Sequence, residues 1–186
     1  MRICAILLSF WLAGASASGT EDISVEAVRK GSVVEVSARA TLDAPLSLIW
    51  GTLTDFNRFA EFIPGMRRSR LLEQRGNDAV VEQSGEARFL FFTFPIEVTL
   101  VSTSQPPEVL SVRVLKGNLK RLDGSYRIEP MADGRYLLRW EGKIEPETVL
   151  PPLLGTAVMR AAIEDQFTGM VREIERREAV RRKRTP

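Results

Sequence analysis

The sequence predicts an α+β domain in which a curved antiparallel sheet wraps around a long C-terminal helix, with two short helices after the N-terminal strands. Two observations carry this expectation. From Met66 to Glu145, runs rich in Val, Leu, Phe, Thr and Tyr are separated by turn signals at Gly76-Asn77-Asp78, Pro95, Pro106-Pro107, Gly117-Asn118 and Asp133-Gly134, the punctuation of an antiparallel meander. After Pro151-Pro152, the residues Met159, Ile163, Phe167, Met170 and Ile174 recur every three or four positions, which is the apolar stripe of one amphipathic helix reaching to about Arg177. A helix of that length must cover an apolar surface, and the sheet is the only one large enough.

The elements follow in order. Met1-Arg2 precedes the apolar run 3–15, which ends at the small-x-small site Ala15-Ser16-Ala17. Thirteen apolar residues are too few to span a bilayer as a helix but suit a signal-peptide core, so residues 1–17 are expected to be removed and the protein to be periplasmic. An uncleaved anchor is the alternative. The remaining chain reads as one domain, 18–178, followed by a basic disordered tail, 179–186. Ile23 to Arg29 and Val33 to Leu42 flank Lys30-Gly31-Ser32 and form a β-hairpin. Asp43-Ala44-Pro45 then starts a helix with Leu46, Ile49, Trp50 and Leu53 on one face, and Asn57 to Phe62 makes a second short helix before Pro64-Gly65. In the last strand Tyr136, Leu138, Trp140, Gly142 and Ile144 alternate with Arg139, Glu141 and Lys143, one dry face against one wet face.

Composition excludes several chemistries. The 186 residues contain no histidine, and Cys4 is the only cysteine. A Ser-His-Asp or Cys-His nucleophile, a Cys/His zinc site, a haem histidine and a structural disulfide are therefore unavailable. Proton transfer near neutral pH is left to Asp, Glu, Lys or Tyr with shifted pKa values. The balance favours a binding protein over an enzyme, with no cofactor and no metal.

The order of elements is that of a helix-grip fold, and the residues Ala44-Pro45, Leu48, Ile49-Trp50, Leu53-Thr54-Asp55-Phe56, Phe59 and Phe62-Ile63-Pro64 resemble the Ala-Pro, Trp, Thr-Asp-aromatic and Phe-x-Pro pattern of the START-like (SRPBCC) superfamily, of polyketide cyclase/dehydrase and coenzyme Q-binding type. The stretch Gly117-Asn118-Leu119-Lys120-Arg121-Leu122-Asp123-Gly124-Ser125-Tyr126 is similar to the same superfamily's Gly-x-Phe/Leu-Lys and Gly-x-aromatic strand pair. The resemblance covers about residues 24–178. It implies a cavity between helix and sheet that binds a lipid, isoprenoid or quinone. A polyketide cyclase or dehydratase with a buried acid or base is the alternative, and a ribosome-associated toxin branch, which export contradicts, comes third.

Each motif also has a structural reading. Trp50, Phe59 and Phe62 sit at helical spacing and are read first as packing and second as ligand contacts. Asp55 is read as an N-cap, with a general base as its other role. Gly85, Gly117, Gly124 and Gly142 are read as sites of strand curvature. The run Phe89-Leu90-Phe91-Phe92-Thr93-Phe94 places five large apolar residues in six positions, more than one strand face can bury. The surplus rings need a second apolar partner, the first helices, a ligand at the cavity mouth or a membrane; as candidate contacts Phe89 and Phe91 are assigned to the pocket and Phe92 to a membrane. Trp140, Met159, Ile163, Phe167 and Met170 are expected to line a cavity of several hundred Å3, the ordinary size of a ligand pocket. Residues 172–186 carry seven basic against three acidic side chains, while the body before them is net acidic. The tail residues Arg181, Arg182, Lys183 and Arg184 are read first as a solvated end whose cations suit the helix C-terminus and second as attracting anionic lipid headgroups alongside Phe92; nucleic acid is not expected as a partner.

Overall fold

The computed structural model describes residues 23–147 and 152–184; the expected signal peptide lies outside them. Eight strands form a single antiparallel sheet in the order β1-β2-β8-β7-β6-β5-β4-β3. They are β1 (Ser24–Lys30), β2 (Val33–Leu42), β3 (Met66–Arg75), β4 (Asp78–Phe89), β5 (Phe92–Gln105), β6 (Val109–Gly117), β7 (Leu119–Pro130) and β8 (Tyr136–Pro146). Between β2 and β3 lie α1 (Leu46–Leu53), a 3-10 turn (Phe56–Arg58) and α2 (Phe59–Phe62), and the chain closes with α3 (Pro152–Arg184). This is the helix-grip arrangement the sequence predicts.

Strand alternation decides which face α3 covers. Along β2, Val34, Val36, Ala38, Ala40 and Leu42 are buried, and along β8 so are Leu138, Trp140 and Ile144. They meet Met159, Ile163, Phe167, Met170 and Ile174 of α3, all buried in the same core. Burial of each such side chain contributes about 1.5–3 kcal/mol, and this interlocking stripe rather than helix propensity holds α3 in place. At the crossing with α2 the helix carries Gly169, where a Cβ would lie 2.7 Å from the Phe62 carbonyl oxygen and 2.8 Å from Pro64 Cδ. Only hydrogen fits between the two backbones.

The glycines of the paired strands β7 and β8 have a more specific role than curvature. Gly124 and Gly142 are cross-strand partners, and a Cβ on either would collide with the Trp140 ring. Their missing side chains make the bed on which the indole lies, tilted against Tyr126 at 4.7 Å between ring centroids.

Register places every strand end. Leu42 pairs with Tyr136, and Asp78 with Thr103, at one end of the sheet; Val34 pairs with Ile144, Leu119 with Pro146, and Phe89 with Phe92 at the other. Helix α3 begins after β8 at this second end, and its last turns reach Asp43, which follows β2 at the first. At 1.5 Å per residue it is roughly 50 Å long. The β4–β5 hairpin tip and the helix C-terminus therefore lie at opposite ends of the domain.

Two expectations change here. Residues 179–184 are not a disordered tail, because α3 continues to Arg184, held by ion pairs described below. The aromatic run is not one strand either: Leu90 and Phe91 form a two-residue hairpin turn, with Phe89 and Phe92 paired across it. The turn removes two large residues from a ribbon that could not bury all five.

Candidate functional site

Two small apolar spaces lie between α3 and the sheet. The inner one, about 60 Å3, is walled by Leu53, Phe56 and Phe59 of the α1–α2 segment, by Val81, Leu100, Leu110, Val112, Leu122 and Trp140 of the sheet, and by Ile163 of α3. Its polar lining consists of Gln83, Ser102, Tyr126 and Gln166. The outer one, about 100 Å3, is lined by Ile63, Pro64, Gly65 and Met66 after α2, by Gly85, Glu86 and Ile96 of the β4–β5 hairpin, and by Met159, Ala162 and Asp165 of α3. Gln83, Leu122, Ile163 and Gln166 belong to both linings. Neither reaches the several hundred Å3 expected from the sequence.

The predicted pocket residues divide. Phe59, Trp140 and Ile163 line the inner space, and Met159 with Ile163 the outer one. Phe167 and Met170 are buried but pack as core, Phe167 lying parallel to Tyr126 at 6.4 Å. Trp50 and Phe89 are half-buried against the core and border neither space. Phe62 is set edge-on to Phe59 at 5.7 Å, with the Arg177 guanidinium 5.7 Å above its own ring, so it serves the α2–α3 contact. Phe91 does not reach the pocket: it is 84% exposed and its neighbour Leu90 79%. Only the backbone of Phe92 is described, within β5. The polar residues Gln83, Ser102, Tyr126 and Gln166 were not singled out as pocket residues from the sequence. Tyr126 stood in a quoted motif, whereas a glutamine beside an apolar stripe gives no periodic signal.

The chemistry of the inner space is neutral. Burial pushes the Tyr126 phenol well above its ordinary range, against which the Gln166 amide, 3.4 Å from its oxygen, has a smaller opposite effect. Among the described residues no carboxylate, lysine or arginine borders this space. At the outer space Asp165 is raised by burial and by Glu164, while Glu86 pairs with both Arg67 and Arg88. Tyr136, the one ionisable residue assigned to the dry face of the last strand, sits at the far end against Leu42. Among the described residues no group of three or more His, Cys, Asp or Glu is placed to hold a metal ion.

Asp55 is not a side-chain N-cap. Its carboxylate accepts from Arg177 at 2.8 Å, and Arg177 donates also to Glu173 at 2.7 Å. Glu173, buried and further bonded by Arg176, is held down to about 2. One turn on, buried Glu178 accepts from Arg181 and Arg182 and is likewise held at about 2, while Arg182 reaches Asp43 at 2.9 Å. Arg181 and Arg182 are thereby ion-paired at the helix end, with about half of each side chain still exposed. Lys183 and Arg184 are exposed beside them.

A family model described as "Polyketide cyclase / dehydrase and lipid transport" matches residues 33–177. The chain belongs to this family. Solved structures of the same superfamily share its fold. Zhui, an aromatase/cyclase from a Streptomyces species, superposes with a TM-score of 0.66 at 19% identity, covering 78% of this chain and 95% of that one. A STAR-related lipid transfer protein fragment from Xanthomonas axonopodis gives 0.63 at 15% identity, covering 84% and 99%. A START superfamily protein from Mycobacterium smegmatis gives 0.63 at 14% identity, covering 76% and 97%. No curated protein matches the sequence at a significant level. Family and fold together support a role in binding hydrophobic molecules or in polyketide-cyclase-like chemistry.

Proposed function

We propose that the protein is an exported carrier of a hydrophobic molecule of lipid, isoprenoid or quinone type, held between α3 and the sheet. The observation that carries this reading is the pair of apolar spaces between α3 and the sheet, which share Gln83, Leu122, Ile163 and Gln166 in their linings. Release of Gln83 from Ser69 and of Gln166 from Tyr126 is the change by which a ligand would join the spaces, the kind of minor state a ligand makes dominant. A cyclase reading draws support from the likeness to Zhui. Among the described residues the inner space holds no base for it: the one titratable group there is Tyr126, whose pKa burial raises.

Exchange with a membrane would take place at the β4–β5 hairpin. Its tip exposes Leu90 and Phe91, and the stem of the same hairpin borders the outer space through Gly85, Glu86 and Ile96. Leu90 holds φ at +56°, a strained value for a branched side chain where a hairpin turn ordinarily takes glycine or asparagine. Exposed apolar residues on a strained turn suit shallow insertion into a membrane interface. Export rests on the apolar run 3–15 and the Ala15-Ser16-Ala17 site.

The test is native mass spectrometry of the protein isolated from a periplasmic fraction. The expected result is a chain beginning near Ser18 with a co-purified organic-soluble mass. A chain retaining Met1 in the membrane pellet overturns the cleaved signal peptide and the soluble periplasmic form, and ligand-free protein after loading with extracted lipid overturns the carrier role.

A further inference from the structure

The inner space is apolar in most of its wall yet holds two polar groups without partners. Among the described residues neither Ser102 Oγ nor Trp140 Nε1 has a hydrogen-bond partner, and both residues are 2% exposed. Buried donors are nearly always paired in native proteins, and leaving one unpaired is costly. The two come from different strands, β5 and β8, and border the same small space together with the Tyr126–Gln166 hydrogen bond. A void built only to be closed would be lined with carbon. Two of the residues that line this one carry an indole N–H donor and a hydroxyl able to donate or accept.

Resting on the carrier reading above, we propose that the inner space is a subsite for an uncharged oxygen, a hydroxyl or carbonyl, at the leading end of an otherwise apolar ligand, bound by Trp140 Nε1–H and Ser102 Oγ. The oxygen is uncharged because among the described residues no cation borders the space, so a carboxylate or phosphate would be stripped of water with nothing to replace it. It is an acceptor because the indole only donates, and in a ligand of lipid, isoprenoid or quinone type that acceptor is an oxygen. At about 60 Å3 the space takes a terminal group and a few carbons, while the chain behind it runs past Ile163 and Gln166 into the outer space. Trp140 is held for this role by its bed: Gly124 and Gly142 leave room for the ring to lie flat, and Tyr126 flanks it.

The experiment compares three ten-carbon isoprenoids that share a skeleton, the hydrocarbon myrcene, the alcohol geraniol and the acid geranic acid, titrated calorimetrically at pH 7 into the protein and into Ser102→Ala and Trp140→Phe. Geraniol is expected to bind at least about tenfold more tightly than myrcene, and geranic acid more weakly than geraniol. Each substitution should cut the geraniol-to-myrcene ratio about three- to tenfold. The ratio cancels any change of packing, and Ser102→Ala alone decides the matter if Trp140→Phe does not fold. Geraniol and myrcene binding within twofold of each other, or a ratio untouched by Ser102→Ala, overturns the subsite, its polar groups then being served by water, and leaves the carrier reading standing. Tightest binding by geranic acid overturns the neutral assignment. Failure of all three to bind removes the carrier reading for isoprenoids and the subsite with it.

Discussion

The two ends of the domain solve opposite problems with the same helix. At its C-terminal end α3 is clamped: Arg177 bridges Asp55 and Glu173, and Arg182 bridges Glu178 and Asp43, so the segments leaving β2 are tied to the helix by charge. At its N-terminal end α3 passes over the outer space, and the neighbouring hairpin ends in exposed Leu90 and Phe91. Charge clusters are directional and hold one geometry, whereas apolar side chains around a void repack at low cost. A carrier needs one rigid end to keep the sheet gripped and one end that gives way. The difference also separates two features that look cooperative in the sequence. The basic C-terminus and the aromatic turn share a net-positive, apolar character, yet a helix of 33 residues lies between them.

The largest effect should follow from breaking the clamp. Glu173→Ala leaves Arg177, itself mostly buried, with Asp55 alone, and breaking one side of a buried ion-pair network is expected to cost about 2–3 kcal/mol. The urea midpoint should fall with an unchanged slope, while ligand binding by the folded fraction stays as it was. A parallel loss of binding would show that the two ends are not independent.

Acid should act on the same end. Glu173 and Glu178 titrate at about 2 in the folded protein, below the ordinary 4.5, so they contribute stability above about pH 4.5 that is lost as pH falls toward 2. Together they should account for about 1–2 kcal/mol, allowing for solvent screening at the half-exposed Arg176, Arg181 and Arg182. Thermal melts between pH 6 and 3 should show the decline, and the pair Glu173→Gln and Glu178→Gln should flatten it.

At the other end the sign reverses. Leu90→Gly removes the strain of a positive φ and should raise stability by up to about 1 kcal/mol. In the same variant, sedimentation with anionic liposomes should drop several-fold because the exposed leucine is gone. Stabilisation with undiminished liposome binding would take the hairpin out of the membrane reading. The smallest effect belongs to Lys183→Gln with Arg184→Gln, which should change melting and sedimentation by less than the error of either, since surface charges at the clamped end serve neither. A clear fall in sedimentation would return the docking surface to the helix C-terminus.

How much of this was legible follows from periodicity. The stripe Met159, Ile163, Phe167, Met170, Ile174 and the alternation around Trp140 repeat with the period of their own element, so helix, strand and buried face could be read directly. Leu90-Phe91 could not, because a run of five apolar residues carries no period and a turn of two residues leaves no mark when neither is glycine or asparagine. Asp55 looked like a cap from its neighbours in sequence, and its partner Arg177 lies 122 positions away. The basic tail read as frayed because its acidic counterpart Asp43 is more distant still, 139 positions from Arg182.

Local chemistry, then, was enough to establish the helix-grip order, the core stripe and the exclusion of histidine and disulfide chemistry, since each depends on residue type and on spacing within one element. The size of the cavity, the polar groups left inside it and the separation of the aromatic turn from the basic helix end depend on register between strands distant in the chain. Packing sets that register over the whole sheet at once, and no single segment carries it.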